Sequence, residues 1–209
     1  MPLSRLARSI FALLAAALLT GCLGCAAGPT TYIPDSGQPA IVCLGDSLTA
    51  GDAAPPDQSY PAWLQRQLTA SGYRYRVVNA GVSGDRVADG LARLQDNILR
   101  FHPTVVILEL GSNDPGHTAA ALWEQQLDTL VSRIQRQGAA VILGGLDEPG
   151  MGDIYRAIAA RRHVPLVWFT AGLWSRPGLW GDAHHPNGAG YRVVMQSFWA
   201  TLQPMLRHT

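Results

Sequence analysis

Four short polar segments of the sequence contain residues that are suited to nucleophilic catalysis. They are GDSLTAG (45–51), NAGVSGD (79–85), GSND (111–114) and GDAHHPNGAGY (181–191). Ser47 is a candidate nucleophile, His185 can accept its proton, and Asp182 can hold the imidazole Nδ1–H from three residues earlier in the chain. A hydroxyl, a base and an orienting carboxylate are the groups that attack on an acyl carbonyl requires.

Such an attack also needs hydrogen-bond donors for the oxyanion that develops on the carbonyl oxygen. The candidates are the backbone N–H groups of Ser47 and Gly81 and the side-chain amide of Asn113. Glycine at position 81 allows close backbone approach to a substrate, and the Asn amide is a neutral donor. Asp46 is expected to bond neighbouring backbone and hold the Ser47 turn. Asp114 either orients the Asn113 amide or caps the next helix, and the capping role is favoured.

Five apolar runs with strand character separate these segments. They cover residues 40–45, 75–80, 105–111, 139–145 and 164–169. The runs are nearly unbroken instead of alternating, which is typical of parallel strands buried on both faces. Apolar residues at helical spacing predict helices over 60–71, 118–137 and 188–203. Gly138 is the expected C-cap of the second helix and Asn187 the expected N-cap of the third.

The apolar face of each predicted helix is defined by spacings of three and four residues. These residues are Tyr60, Trp63, Leu64 and Leu68 in the first helix, Leu122, Trp123, Leu127, Leu130, Val131 and Ile134 in the second, and Tyr191, Val194, Met195, Phe198, Trp199 and Leu202 in the third. Strands that alternate with helices predict a doubly wound α/β sheet, in which ligands bind at the carboxyl ends of the strands. The polar segments come directly after predicted strands, so the expected site is at that edge.

The four segments, in this order, resemble the GDSL, or SGNH, hydrolase superfamily, from Ala40 to about Leu206. The similarity is greatest to its bacterial periplasmic thioesterase, lysophospholipase and arylesterase branch, through GDSLTAG, YPAWLQRQL, VVNAGVSGD, GLARL and VILELGSND. The family's four signature residues would be Ser47, Gly81, Asn113 and His185. The family pattern Asp-x-x-His-Pro selects His185 over His184, which is expected at the rim of the site.

The resemblance implies a flavodoxin-like three-layer α/β/α sandwich with a five-stranded parallel sheet. It also implies hydrolysis of acyl esters or thioesters through an acyl-enzyme on Ser47, with no metal and no cofactor. Three features depart from the branch and weaken any transfer of its acyl-chain preference: Ser112 where glycine is usual, PGHTA after Asp114, and a short GLDEPGMGD segment. Two roles are open for each of Trp168, Trp174 and Trp180, which are packing in the core and lining an acyl groove.

Three other functions remain open. A carbohydrate O-acetyl esterase would use the same residues on a short acyl group. A metal-dependent hydrolase would use Asp182, His184, His185 and His117, although no His-Glu-x-x-His spacing occurs. A non-catalytic envelope binding protein could retain the fold, because fold alone does not establish activity.

The N-terminal residues are typical of a bacterial lipoprotein signal. A basic start, the apolar run IFALLAAALL and the lipobox-like LTGC predict a signal peptide over 1–21 and lipidation of Cys22, with Cys25 as a weaker candidate. Leu23 at the next position favours the outer membrane, with the domain facing the periplasm. Residues 22–39 are predicted to be a flexible tether and 40–209 the hydrolase domain.

Charge and cysteine content limit the partners further. All 16 basic residues are Arg, against 15 acidic residues. Removal of Arg5 and Arg8 with the signal leaves a formal charge near −1 and no basic patch, so a nucleic-acid partner is not expected. Beyond the leader Cys43 is the only cysteine, which excludes a metal site built from several cysteines. The expected partner is a small-molecule or lipid acyl ester, bound by a monomer on a lipid anchor.

Overall fold

Five parallel strands form one sheet in the computed structural model, which describes residues 37–208. The strands are β1 (Ala40–Gly45), β2 (Arg76–Gly81), β3 (Pro103–Glu109), β4 (Ala140–Gly145) and β5 (Leu166–Trp168). Their order across the sheet is β2-β1-β3-β4-β5, the flavodoxin-like arrangement. Every residue of β1 is buried, because it lies inside the sheet and both faces of the sheet are covered.

Helices cover both faces of this sheet. They are α1 (Ser47–Ala50), α2 (Tyr60–Ala70), α3 (Val87–Ala92), α4 (Leu94–Asn97), α5 (Ala120–Arg136), α6 (Gly152–Arg162) and α7 (Gly188–Leu202). Helices α2 and α7 pack against each other in one layer, while α5 packs against α3 and α6 in the other. The predicted three-layer α/β/α sandwich is therefore confirmed.

The predicted elements match the observed ones closely. All five strands are confirmed, with bounds that differ by at most two residues. Asn187 is the N-cap of α7, and its side chain accepts hydrogen bonds from the backbone N–H groups of Ala189 and Gly190 at 3.0 and 3.1 Å. Gly138 has φ +83° but lies one residue beyond the C-cap of α5, Gln137, so the predicted position was off by one.

Two parts of the helix prediction need correction. Leu122 was placed on the buried face of α5, but 47% of it is exposed, whereas Trp123 is 3% exposed. Successive residues of a helix are about 100° apart around its axis, so the two side chains leave on different sides. Helix α6 was not predicted, because its buried residues Tyr155 and Ile158 are interspersed with arginines and alanines.

The N-terminal predictions lie outside the described residues. These are the signal peptide, Cys22, Cys25 and the tether up to residue 36. Over residues 37–208, no helix combines the length and the apolar character that crossing a membrane would require. Cys43 is a free, fully buried thiol, and burial raises its pKa to about 12. It therefore stays protonated and packs in the core.

Candidate active site

Ser47, His185 and Asp182 form a continuous hydrogen-bonded chain at the carboxyl edge of the sheet. The Ser47 hydroxyl lies 3.0 Å from His185 Nε2, and His185 Nδ1 lies 2.9 Å from Asp182 Oδ2. With the proton on Nδ1, Nε2 can accept the serine proton, which is the arrangement of an activated nucleophile. The His185 side chain keeps 21% of its surface exposed, so a substrate can reach this chain.

Asp182 lies in a local turn whose hydrogen bonds keep its carboxylate ionised. Its Oδ1 accepts the backbone N–H groups of His184 and His185 at 2.8 and 2.7 Å. The His184 N–H, followed by the His185 side chain, lowers the Asp182 pKa to about 2. The carboxylate therefore remains ionised and orients the imidazole at any pH where the protein would work.

The turn that carries Ser47 is fixed from two sides. The Asp46 side chain caps α1 by accepting the Leu48 backbone N–H at 2.9 Å, as predicted for this residue. From α7, the Tyr191 hydroxyl donates to the Asp52 carbonyl at 2.9 Å and lies 3.5 Å from the Ser47 carbonyl oxygen. The Asp46 cap and helix α7 thus both determine where Ser47 lies.

Asn113 is held next to this turn through the same Asp46. Its amide nitrogen lies 3.0 Å from the Asp85 carbonyl oxygen and 3.3 Å from Asp46 Oδ2. The Ser112 hydroxyl donates to that same Asp46 oxygen. The buried Asp46 carboxylate therefore hydrogen-bonds both the Ser47 turn and the side chain of Asn113.

The structure gives Gly81 a role other than the predicted one. Its N–H already donates to Asn79 Oδ1 at 3.0 Å, so it is not a free donor. A Cβ built at Gly81 would come within 2.1 Å of the Ala50 nitrogen, which shows that this glycine lets β2 and α1 approach each other.

Gly84, three residues later, has the properties that were expected of Gly81. It has φ +85°, open space around its Cα, and lies with Asn113 along one cavity. Within residues 37–208, the backbone N–H groups of Gly84 and Ser47 donate to no acceptor. The sequence signal for Gly84 was the glycine of SGD, which follows the strand by three residues.

Asp114 does not contact the Asn113 amide. Its Oδ2 accepts the Val87 backbone N–H at 3.0 Å and so satisfies the first turn of α3, while its main chain carbonyl accepts from His117 and Thr118. The predicted capping role is therefore right in kind, but it acts on α3, which precedes Asp114, and not on the next helix.

A cavity of about 240 Å³ opens beside the Ser47 hydroxyl. Its lining includes Ser47, Leu48, Ser112, Asn113, Leu146, Glu148, Met151, Thr170, Trp174, Trp180, His184 and His185. Trp174 stacks on Trp180 with ring centroids 4.6 Å apart and remains 60% exposed. Two of the three candidate tryptophans therefore line the cavity. Trp168 packs between Tyr155 and Arg156 and does not line it.

A second cavity shares Ser112 and Asn113 with the first. It is lined by Gly84, Arg86, Ser112, Asn113, Pro115 and His117. His117 is therefore separated from His184 and His185, which line the first cavity. Over residues 37–208, no three His, Cys, Asp or Glu side chains are grouped so that they could hold a metal ion.

Comparison with known proteins gives concordant matches. Residues 43–193 match the GDSL-like lipase/acylhydrolase family. Esterase TesA of Pseudomonas aeruginosa is 33% identical over 203 residues, covering 91% of this chain and 99% of that protein. The thioesterase 1/protease 1/lysophospholipase L1 of Escherichia coli is 29% identical over 185 residues, covering 80% and 85%. A crystal structure of TesA has a TM-score of 0.75 at 34% identity, covering 80% of this chain and 99% of that one.

Proposed function

This chain belongs to the GDSL-like lipase/acylhydrolase family and is a carboxylic ester hydrolase, and on that premise we propose that Ser47 is its nucleophile, with His185 as base and Asp182 as the orienting carboxylate. The observation that carries this assignment is the unbroken chain from Ser47 Oγ through the His185 ring to Asp182, with distances of 3.0 and 2.9 Å. Three groups in this order and at hydrogen-bond distance are what acyl transfer needs.

The reaction proceeds in two acyl transfers. Ser47 Oγ attacks the carbonyl carbon while its proton passes to His185 Nε2, and the resulting tetrahedral species collapses as His185 returns that proton to the leaving oxygen or sulfur. A water then loses a proton to His185 and attacks the acyl-enzyme carbonyl. The bond between the acyl carbon and Ser47 Oγ breaks as His185 Nε2 returns that proton to Oγ, which releases the carboxylic acid and restores Ser47. Asp182 holds the Nδ1–H throughout and stabilises the imidazolium that forms in each half.

The oxyanion is held by the backbone N–H groups of Ser47 and Gly84 and by the Asn113 amide. The free N–H groups of Ser47 and Gly84 support this choice, as does the cavity that Gly84 and Asn113 share. Gly84 replaces Gly81 in this role, because the Gly81 N–H is already bonded to Asn79. The Asn113 amide gives up one of its two resting hydrogen bonds when it turns to the oxyanion.

The acyl group occupies the cavity next to Ser47. Leu48, Leu146 and Met151 give it apolar lining, and the Trp174 and Trp180 stack gives it a flat aromatic face. Such a cavity suits acyl esters and thioesters of lysophospholipase, thioesterase or arylesterase type. A carbohydrate O-acetyl esterase is the second candidate, because the exposed Trp174 face could also pack against a sugar ring.

The direct test is hydrolysis of p-nitrophenyl esters from acetate to palmitate by the full chain and by its Ser47→Ala variant. We expect activity that disappears in the variant and labelling of Ser47 by a serine-directed phosphonate, with no effect of a chelator. A rate that rises with acyl length supports the lipid-type substrate, whereas a sharp preference for acetate supports the O-acetyl esterase. Unchanged activity in Ser47→Ala would refute the assignment.

The enzyme acts at the bacterial cell envelope. In this proposal residues 1–21 are a signal peptide, lipidated Cys22 anchors the chain in the outer membrane, 22–39 form the tether, and the domain 40–209 faces the periplasm as a monomer. The apolar run that ends in LTGC supports it. A lipid anchor would also bring the cavity close to lipid esters.

A further inference from the structure

Glu109 is a buried carboxyl group at the carboxyl end of β3, close to the turn that carries Ser47. It pairs with Gly45 in the register of β1 and β3 and is only 2% exposed. Thr49 Oγ1 donates to its Oε2 at 2.8 Å. A Cβ at Gly45 would come within 2.6 Å of Glu109 Oε2, so glycine there makes room for this carboxyl.

Among the described residues, Glu109 is without a cationic partner. Over residues 37–208, no Arg or His forms an ion pair with Glu109. Besides burial, the charge of Asp46 raises the pKa of Glu109, and the charge of Glu109 raises the pKa values of Tyr60, Tyr155 and Tyr191. The nearby Arg93 is bonded to Asp85 and to the Gly45 carbonyl. A buried carboxylate without a partner is costly, so such a group keeps its proton.

Burial also raises the pKa of its carboxyl neighbour Asp46, but hydrogen bonds from Ser112 and Leu48 oppose that rise. Asp46 is fully buried, yet it accepts hydrogen bonds from the Leu48 N–H, the Ser112 hydroxyl and the Asn113 amide. Hydrogen bonds to an ionised carboxylate favour its charged form, while Glu109 has fewer donors. Burial and then the Asp46 charge raise the Glu109 pKa well above its usual range. If one proton is held between the two, Glu109 is the group that keeps it.

We propose that Glu109 and Asp46 share a single proton that stays on Glu109, and that Glu109 thereby acts as a positioning residue for the Asn113 oxyanion donor. The neutral Glu109 O–H donates to the Asp46 carboxylate while its other oxygen accepts from Thr49. Asp46 is then fixed as an anion that holds the Ser47 turn on one side and the Ser112–Asn113 turn on the other. The inference rests on the proposed roles of Ser47 and Asn113 in ester hydrolysis.

Infrared spectroscopy of the full chain tests where the proton is held. At pH 8 we expect the C=O band of a protonated buried carboxylic acid, which shifts in D₂O and is absent from the Glu109→Gln variant. The Gln side chain has the same shape and can also donate to Asp46, so this variant should fold. Absence of the band in the wild-type protein, or its persistence in Glu109→Gln, would overturn the proposal.

A double-mutant cycle tests the positioning role. We expect Glu109→Gln to retain kcat within about threefold, whereas Glu109→Leu lowers kcat for p-nitrophenyl acetate by about tenfold to hundredfold with little change in KM. Because Glu109 acts through Asn113, the Leu substitution should cost far less in an Asn113→Ala background. An equal loss in both backgrounds, or a loss in Glu109→Gln as large as in Glu109→Leu, would overturn it.

The two experiments separate this inference from the proposed function. The infrared band does not depend on activity, so it can be read whether or not Ser47 is the nucleophile, and it decides the proposal even if Glu109→Leu does not fold. If Ser47→Ala retains activity, the proposed function fails while the band still reports on Glu109. If Ser47→Ala is inactive but the band is missing, the inference about Glu109 alone is wrong.

Discussion

At the scale of single residues, the candidate site depends on a few hydrogen bonds that span long stretches of chain. The bond between Ser47 Oγ and His185 Nε2 joins positions 138 residues apart, whereas Asp182 and His185 are only three apart. His185 and Asp182 are thus positioned locally by one turn. Ser47 is brought next to them by the packing of α7 against the sheet.

Replacement of Asn113 by Ala should lower kcat by about 10²–10³, as for loss of other oxyanion donors, with a smaller change in KM. The matched control is Ser112→Ala, which removes the neighbouring hydroxyl from Asp46 but leaves the Asn113 amide in place. Steady-state kinetics on p-nitrophenyl esters measure both. A loss below about threefold in Asn113→Ala would contradict the oxyanion role.

The activity should fall on acidification, because His185 must be neutral to accept the serine proton. Asp182 does not contribute to this fall. Its folded-state pKa is lowered to about 2, so its stabilising charge is present above the ordinary Asp range and is lost only as the pH falls through about 2. Measurement of kcat/KM against pH, with circular dichroism to check folding, tests this. A flat profile would show that His185 is not the base.

At the scale of elements, Gly81 at the end of β2 and Gly84 in the loop after it have different structural roles. Gly81 faces α1, where a Cβ would come within 2.1 Å of backbone, whereas a Cβ at Gly84 would meet nothing within 4 Å. Gly84 instead has φ +85°, which an L side chain adopts at a cost of about 1–2 kcal/mol. Gly81 is therefore needed for the packing of β2 against α1, and Gly84 for the position of its backbone N–H.

This difference predicts opposite outcomes for two alanine variants. Gly81→Ala should lower the melting temperature markedly, because β2 and α1 must move apart. Gly84→Ala should destabilise the protein by only about 1–2 kcal/mol but reduce kcat, because its N–H is displaced from the oxyanion. Thermal unfolding and kinetics on the same samples measure both effects. If Gly84→Ala keeps full turnover, the donor in this loop has to be sought elsewhere.

At the scale of the whole molecule, the order of the strands places the candidate site at one edge of the sheet. The strand order places β1 and β3 side by side, so Ser47 and Asn113 follow adjacent strands. The site therefore lies at the carboxyl edge of the sheet, where doubly wound folds bind their ligands.

The proposed anchor predicts a specific change in the full chain. Expressed in a Gram-negative host, the wild-type protein should incorporate labelled fatty acid and fractionate with the outer membrane, because several acyl chains on Cys22 make a stable anchor. Cys22→Ser should abolish both, while Cys25→Ser is the matched control and should change neither. Labelling that is lost only in Cys25→Ser would assign the anchor to Cys25. If no fatty acid is incorporated at either cysteine, the proposed lipid anchor is refuted.

The sequence by itself determined the five strands and helices α2, α5 and α7, and it predicted the triad that we propose. Buried parallel strands are unbroken apolar runs, and the Asp-x-x-His pair lies within a single turn, so both signals are local. Only the tertiary structure decided that Gly84 and not Gly81 has the free N–H, that Asp114 caps α3, and that Glu109 is bonded to Thr49 close to the Ser47 turn. These outcomes depend on contacts between distant segments, such as Thr49 with Glu109 across 60 residues, and local residue patterns do not encode them.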